Sequence, residues 1–167
     1  MTNQQREARR GTYVISDDPS RLDVEAVHAF LTRSYWSPGI PLDLVRRAAA
    51  GSLCFGVYLA AERGETQVGF ARVITDRATF AYLADVYILE EHRGQGLATW
   101  LVDVILAHPD LQGLRRWMLA TRDAHGLYAK FGFGAPGDPD AIMEIRRPNP
   151  YTDSADADAE GSVRPSR

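Results

Sequence analysis

An α/β fold with a mixed, mostly antiparallel sheet and four flanking helices is the architecture this sequence predicts, and three observations predict it. Two β-rich runs, Leu53–Ala61 and 67–74, are separated by Glu62-Arg63-Gly64-Glu65, the pattern of an antiparallel hairpin. A third run at 80–89 leads through Arg93-Gly94-Gln95-Gly96 into a strongly apolar helix. A further strand at 116–121 follows that helix. Such a strand–helix–strand crossover implies a parallel pair within the otherwise antiparallel sheet.

The elements follow in order. Residues 1–11 are polar and are expected to fray. Tyr13–Ser16 reads as a short strand, and Asp17-Asp18-Pro19-Ser20 as a turn into a helix. Val27, Phe30, Leu31 and Ser34 keep helical spacing, and Ser20 with Asp23 resembles a capping box carrying Asp for Glu. Tyr35-Trp36-Ser37-Pro38-Gly39 breaks the pattern. Pro41 suits the first position of a second helix and Gly51 its stop, with Leu42, Val45 and Ala49 as the apolar stripe. The helix after Gly96 carries Leu97, Trp100, Leu101, Val104 and Ile105 on one face, widened by Val102 and Leu106, so it should be largely buried. His108-Pro109 ends it. A short helix is expected at 124–131 and a last strand at 141–145. From Asn149 onward the Asp/Ser/Ala-rich chain reads as a disordered tail. The single folded domain is thus expected over 12–148.

Composition narrows the functional classes. The 167 residues are 45% hydrophobic and 25% charged, enough for one domain with a substantial core. A net charge of −3 gives no hint of nucleic-acid or anionic-membrane binding. The single Cys54 excludes an internal disulfide and a cysteine-rich zinc site, and packing in a strand is its expected role. The N-terminus lacks a secretory apolar region and no run is long enough to span a membrane, so a cytoplasmic protein is expected. No His, Asp and Glu set has metal-ligand spacing. His92 and His125 are expected at the surface or at helix ends, and His28 and His108 exposed.

The glycine segment is the chemical signal. A helix N-terminus offers unpaired amides and about half a positive charge, and glycines just before it let an anion approach the main chain. Arg93 either adds fixed positive charge or is a solvated surface residue. The segment is no Walker loop, since no Lys-Ser/Thr pair follows Gly96. It is no dinucleotide fingerprint either, since Thr99 stands where Gly or Ala is needed. Alone, Gly94-Gln95-Gly96 reads equally as a tight turn.

Arg93-x-x-Gly96-x-Ala98, with Leu83-Ala84-Asp85-Val86-Tyr87-Ile88 upstream and Tyr128-Ala129-Lys130-Phe131-Gly132-Phe133 downstream, resembles the acyl-CoA site of the GNAT superfamily of N-acetyltransferases. Order and spacing fit from about Tyr13 to Arg146. The resemblance implies a GNAT-like sheet whose fourth and fifth strands, counted from Tyr13, splay apart and admit the pantetheine arm of acetyl-CoA. It implies that the main chain of Val86, Tyr87 and Ile88 pairs with that arm, and that Gly94, Gln95, Gly96, Leu97, Ala98 and Thr99 hold the diphosphate, with Arg93 at the rim. It implies direct attack of a primary amine, from a small molecule or a peptide, on the acetyl thioester, with no metal. Small members of the family often pair, so a homodimer is a candidate assembly.

The chemistry needs a proton acceptor and a proton donor. An alkylamine with pKa near 10.4 is neutral in roughly one molecule in 2,500 at pH 7. Asp85 lies on the strand beside the expected thioester and is either the base, or an anchor for the amine, or a structural Asp bonding nearby amides. Many relatives carry a glutamate one or two residues earlier, where this chain has Ala84 and Leu83. Tyr128 matches the family's general-acid tyrosine, which protonates the departing thiolate; otherwise it is a core tyrosine on a short helix. Thr121 replaces the asparagine often found seven residues before it.

On the acceptor side, relatives roof the site with the linker between the first two helices. Tyr35 and Trp36 therefore either roof an acceptor or cap the core. Arg72 either faces the cleft, where it could bind an acceptor carboxylate or phosphate, or snorkels outward. Tyr82 is a candidate pocket wall. Two competing readings are a non-catalytic CoA sensor and a nucleotide or phosphosugar binder using the same helix terminus.

Overall fold

The computed structural model describes residues 6–148 with Pro150 and Tyr151. The expectations for 1–5 and for most of the acidic tail lie outside the described residues. Six strands form one sheet in chain order: β1 Glu7–Arg10, β2 Tyr13–Ser16, β3 Leu53–Ala61, β4 Gly64–Thr75, β5 Phe80–Ile88 and β6 Arg116–Met118. Every neighbouring pair is antiparallel except β5 and β6, which are parallel. Four α-helices flank the sheet among the described residues: α1 Val24–Leu31, α2 Leu42–Ala50, α3 Leu97–Leu106 and α4 His125–Ala129.

Strand periodicity divides the core. Along β3, Phe55 and Val57 face a cluster built with Leu97, Leu101 and Ile105 of α3, whereas Cys54 faces the opposite cluster with Val27 and Leu31 of α1 and Val45 of α2. The sheet is thus covered by α3 and α4 on one side and by α1 and α2 on the other. Buried Cys54 packs, as its strand setting suggested, and burial pushes its thiol up to about 12.

Several expectations are corrected. Glu7–Arg10 does not fray: it pairs residue for residue with β2 and forms the edge of the sheet. Asp17 secures it by accepting the Arg6 amide on Oδ1 at 2.6 Å. The other oxygen of Asp17 accepts from His108 Nε2 at 2.9 Å. His108 is buried, not exposed; its Nδ1 accepts the Asp110 amide, which leaves the ring proton on Nε2. A polar group can be buried here because both ring nitrogens are bonded. His28 is half-buried, with Nε2 at 3.1 Å from the Ile40 carbonyl. Asp23, rather than Ser20, caps α1 by accepting the Ala26 amide; Ser20 instead sits in a 3-10 turn capped by Asp18. The strand expected at 141–145 does not form. Met143 and Ile145 are 95% and 97% exposed there. β6 is only three residues long, and no strand pairs beyond it among the described residues.

One irregularity positions the site. Arg72 on β4 faces Ala84 and Phe70 faces Tyr87, so Asp85 and Val86 together oppose Ala71. This is a β-bulge. The side-chain alternation of β5 slips by one residue across it: Ala81 and Leu83 face the α3 side before the bulge, Ile88 faces that side after it, and Tyr87 faces α1. Asp85 absorbs the extra residue with a left-handed φ of +55°, a conformation that aspartate tolerates better than most side chains.

Candidate active site

β6 pairs with β5 only at Phe80, Ala81 and Tyr82. Beyond Tyr82 the two strands part, and no described strand covers the outer edge of residues 83–88. The expected splay is therefore present, one strand later in the count because of β1. Gly69 sits directly behind it. A Cβ there would lie 2.9 Å from the Tyr87 carbonyl oxygen and 2.6 Å from Ile88 Cδ1, so a glycine lets β4 approach the strand that borders the cleft.

At the end of β5 the chain turns into α3. Gly94 and Gly96 have φ of +75° and +72°, left-handed values that disfavour other residues. Gly96 caps α3 with no side-chain hydrogen bond, so the first amides of the helix, from Leu97 to Thr99, keep their capacity for a ligand. Space in front of Gly94 is open. The loop is pinned from behind by the β1–β2 hairpin. Arg10 Nη2 donates to the Gln95 carbonyl at 3.0 Å, and its guanidinium lies 4.8 Å from the Trp100 ring. The Tyr13 hydroxyl accepts from Gln95 Nε2 and meets His92 Nδ1 at 2.8 Å. His92 thus anchors the loop. Arg93 folds back, and its Nε donates to the Ile88 carbonyl at 3.0 Å, engaging one of the main-chain groups at the end of β5. Arg10 was not visible as a site residue, because it is 85 positions from Gln95 and only the sheet edge brings it there.

Tyr128 on α4 joins the α3-side core cluster with Leu83 and Ile88 of β5 and Leu97 of α3. It is buried, edge-on to Phe133 at 6.0 Å. Burial first, then the nearby Tyr35 and Asp123, push its phenol up to about 12, so it keeps its proton throughout the neutral range. Thr121 bonds the Ala124 amide at 3.0 Å and so fixes the start of α4.

The α1–α2 linker bridges the gap. Trp36 Nε1 donates to Asp85 Oδ1 at 3.1 Å, while the Tyr35 hydroxyl donates to Asp123 Oδ1 at 3.3 Å and accepts the Arg122 amide at 3.2 Å. Arg122 stacks over the Tyr35 ring at 3.9 Å. One aromatic therefore ties the linker to β5 and its neighbour ties it to the β6–α4 loop. Both remain partly exposed, which fits a roof better than a core plug. Arg72 faces inward: its Nε donates to Asp85 Oδ2 at 2.8 Å and its Nη1 to Ser52 Oγ at 3.2 Å. Both oxygens of Asp85 are thus engaged. Beside this pair, between the sheet and α1 and α2, is a cavity of about 350 Å³ whose apolar wall includes Val27, Leu31, Val45 and Phe70. Tyr82 does not line it. Tyr151, from the segment after the fold, does. Among the described residues no group of His, Cys, Asp and Glu could hold a metal ion, and no helix is long and apolar enough to cross a membrane.

This geometry can be set beside known proteins. The description of the acetyltransferase (GNAT) family matches residues 22–133, a span that holds the bulge, the glycine loop and α4. A Gibberella zeae protein described as a candidate acetyltransferase is 39% identical over 140 residues, covering 72% of this chain and 78% of that protein. The crystal structure of a GNAT-family protein from Xanthomonas campestris pv. campestris is 51% identical, covers 84% of this chain and 96% of its own, and superposes with a TM-score of 0.79. A Clostridium acetobutylicum protein solved with acetyl-CoA shares the fold at 16% identity, with a TM-score of 0.55 over 85% of this chain and 94% of that one. The chain belongs to the GNAT family of acetyltransferases.

Proposed function

We propose that this protein transfers the acetyl group of acetyl-CoA to a primary amine by direct attack, without a metal. The observation that carries the reading is the continuity of one segment. The uncovered edge of β5 can pair with the pantetheine arm as an added strand. A few residues later, the uncapped amides at the start of α3 can take the diphosphate. Arg10, rather than Arg93, supplies the nearest cation behind the loop, since its Nη2 lies 3.7 Å from where a Cβ of Gly96 would stand. Val86 can offer main-chain groups to the arm; the Tyr87 main chain faces Phe70 of β4 instead, and Ile88 offers less, because Arg93 already bonds its carbonyl.

Tyr128 serves as the general acid. Its raised pKa keeps the phenol protonated at neutral pH, and transfer to a thiolate of pKa near 8.5 then depends on the hydroxyl being held close to the sulfur, with water restoring the phenol's proton. Asp85 acts as an electrostatic anchor that orients the amine; with both oxygens engaged by Trp36 and Arg72, the amine's proton leaves through water. Release of free thiol from acetyl-CoA across a panel of amines tests the reading. Turnover with at least one amine is expected; thiol release at the uncatalysed rate with every amine would refute it.

A further inference from the structure

The cavity under the roof has an unusual lining. Its floor carries an arginine and an aspartate in contact, Arg72 Nε to Asp85 Oδ2 at 2.8 Å, with side chains only 18% and 10% exposed. Most of its remaining wall is aliphatic or aromatic, from α1, α2 and β4. Arg47 of α2 adds a second cation. Two arginines against one aspartate leave the lining one positive charge in excess.

These features specify a ligand class. A half-buried ion pair presents adjacent positive and negative groups, and the ligand head that matches it carries adjacent groups of the opposite order. The amine must shed its proton to react, so an amino acid in its reactive form has a neutral amine and a carboxylate, net −1, which suits a lining with a positive excess. A plain alkylamine brings no anion for the arginines. A polyamine or a sugar amine would leave charges or hydroxyls unpaired against Val27, Leu31, Val45 and Phe70. Asp85 stands on the bulge at the mouth of the splay, so a head group held there lies next to the strand edge proposed for the thioester.

We infer that the cavity binds an α-amino acid with an apolar side chain, its carboxylate on Arg72, its amine beside Asp85 and its side chain against the apolar wall. This rests on the acetyltransferase reading above. The amine nitrogen forms a bond to the acetyl carbonyl carbon, the carbon–sulfur bond breaks, the nitrogen's proton leaves to water, and the sulfur takes the Tyr128 proton. The products are an N-acetyl amino acid and free CoA. Arg72 is the residue that selects the acceptor.

The test compares leucine with leucinamide and with 3-methylbutylamine, which is leucine without its carboxylate, using the full chain and thiol release. Leucine should have a kcat/KM roughly 10- to 100-fold above both, the range expected for one charge-assisted hydrogen bond. Arg72→Gln should shrink that ratio to within a few-fold of unity, and Arg72→Lys should restore part of it. Calorimetric binding of acetyl-CoA to each variant shows that it is folded, and the ratio is measured within one protein, so partial destabilisation does not mimic the effect. Equal turnover of leucine and leucinamide, or a ratio unchanged in Arg72→Gln, would overturn the proposal. Turnover of a lysine peptide or a polyamine but of no free amino acid would also overturn it while leaving the acetyltransferase reading intact. Absent acetyl-CoA binding together with background thiol release would remove both.

Discussion

At the start of α3 the groups offered to a ligand are main-chain amides, set by two left-handed glycines and held from behind by Arg10, Tyr13 and His92. Across the cleft the offered groups are side chains: Arg72 from β4, Asp85 from β5 and Trp36 from the α1–α2 linker, brought together by one bulge. The two ends should therefore fail in different ways. A main-chain site tolerates changes of side chain and is broken by anything that alters φ. A side-chain site tolerates modest backbone shifts and is broken by the loss of one hydrogen-bonding group.

The largest effect belongs to neither end. Tyr128→Phe keeps the ring against Phe133 and removes only the hydroxyl. It should lower kcat by roughly 10²- to 10⁴-fold, the range of general acid–base catalysis, with acetyl-CoA affinity unchanged in calorimetry. A sensor with no turnover would show no kinetic change, so the result also separates those readings.

Next come the glycines. Gly96→Val places a β-branched residue at φ +72°, at a cost of about 1–2 kcal/mol, which is roughly 5- to 30-fold in the Kd for acetyl-CoA if the loop distorts to relieve it. Gly69→Ala should act at the same end from the other side, by pushing the Tyr87 carbonyl outward. Both should raise the KM for acetyl-CoA more than that for the amine. An equal rise in both would erase the distinction between the two ends.

The same contrast explains what the sequence could show. The glycine loop, the apolar stripe of α3 and the hairpin of β3 and β4 are local patterns, with their causes within a few residues of one another, and they were legible. The second row of the site was not. Arg10 reaches Gln95 only because β1 pairs with β2, and the four residues of β1 look like a polar tail until that pairing exists. His108 reads as a surface residue beside a proline because its partner, Asp17, lies 91 positions away. Asp85 was identifiable as a site candidate, but its engagement by Arg72 and Trp36 depends on a bulge that no residue pattern on β5 announces. Residues 141–145 alternate too weakly to declare whether a partner exists, and none does among the described strands.

A smaller change sharpens the acceptor end. Trp36→Phe preserves the aromatic roof and deletes the donor to Asp85 Oδ1. It should raise the KM for the amine by roughly 3- to 10-fold, as for one lost hydrogen bond, while the Kd for acetyl-CoA stays the same. A shift in the acetyl-CoA Kd instead would mean that the linker supports the donor side.

The smallest effect is silent at neutral pH and compares the two faces of the sheet directly. Burial raises the pKa of Cys54 and Tyr87 on the α1 side and of Tyr128 on the α3 side. Cys54 and Tyr128 move up to about 12, from ordinary values of 9.0 and 10.0, and Tyr87 moves up further. Below about pH 8 all three are almost fully protonated in both the folded and the unfolded chain, and they add almost nothing to the pH dependence. Above pH 9 the unfolded chain releases these protons while the folded chain holds them, so the unfolded state binds fewer protons and stability falls as pH rises. The loss should begin near pH 9 from Cys54 and steepen through pH 10 as the tyrosines join. Chemical denaturation at pH 8, 10 and 11 measures it. Cys54→Ala and Tyr87→Phe should each flatten the decline by removing one group from the α1 face, Cys54→Ala the more because its loss begins at lower pH, and Tyr128→Phe should flatten it from the other face. If only the α1-side variants flatten the curve, Tyr128 is solvated enough to ionise in the folded protein, and its role as a proton donor in alkaline assays ends there.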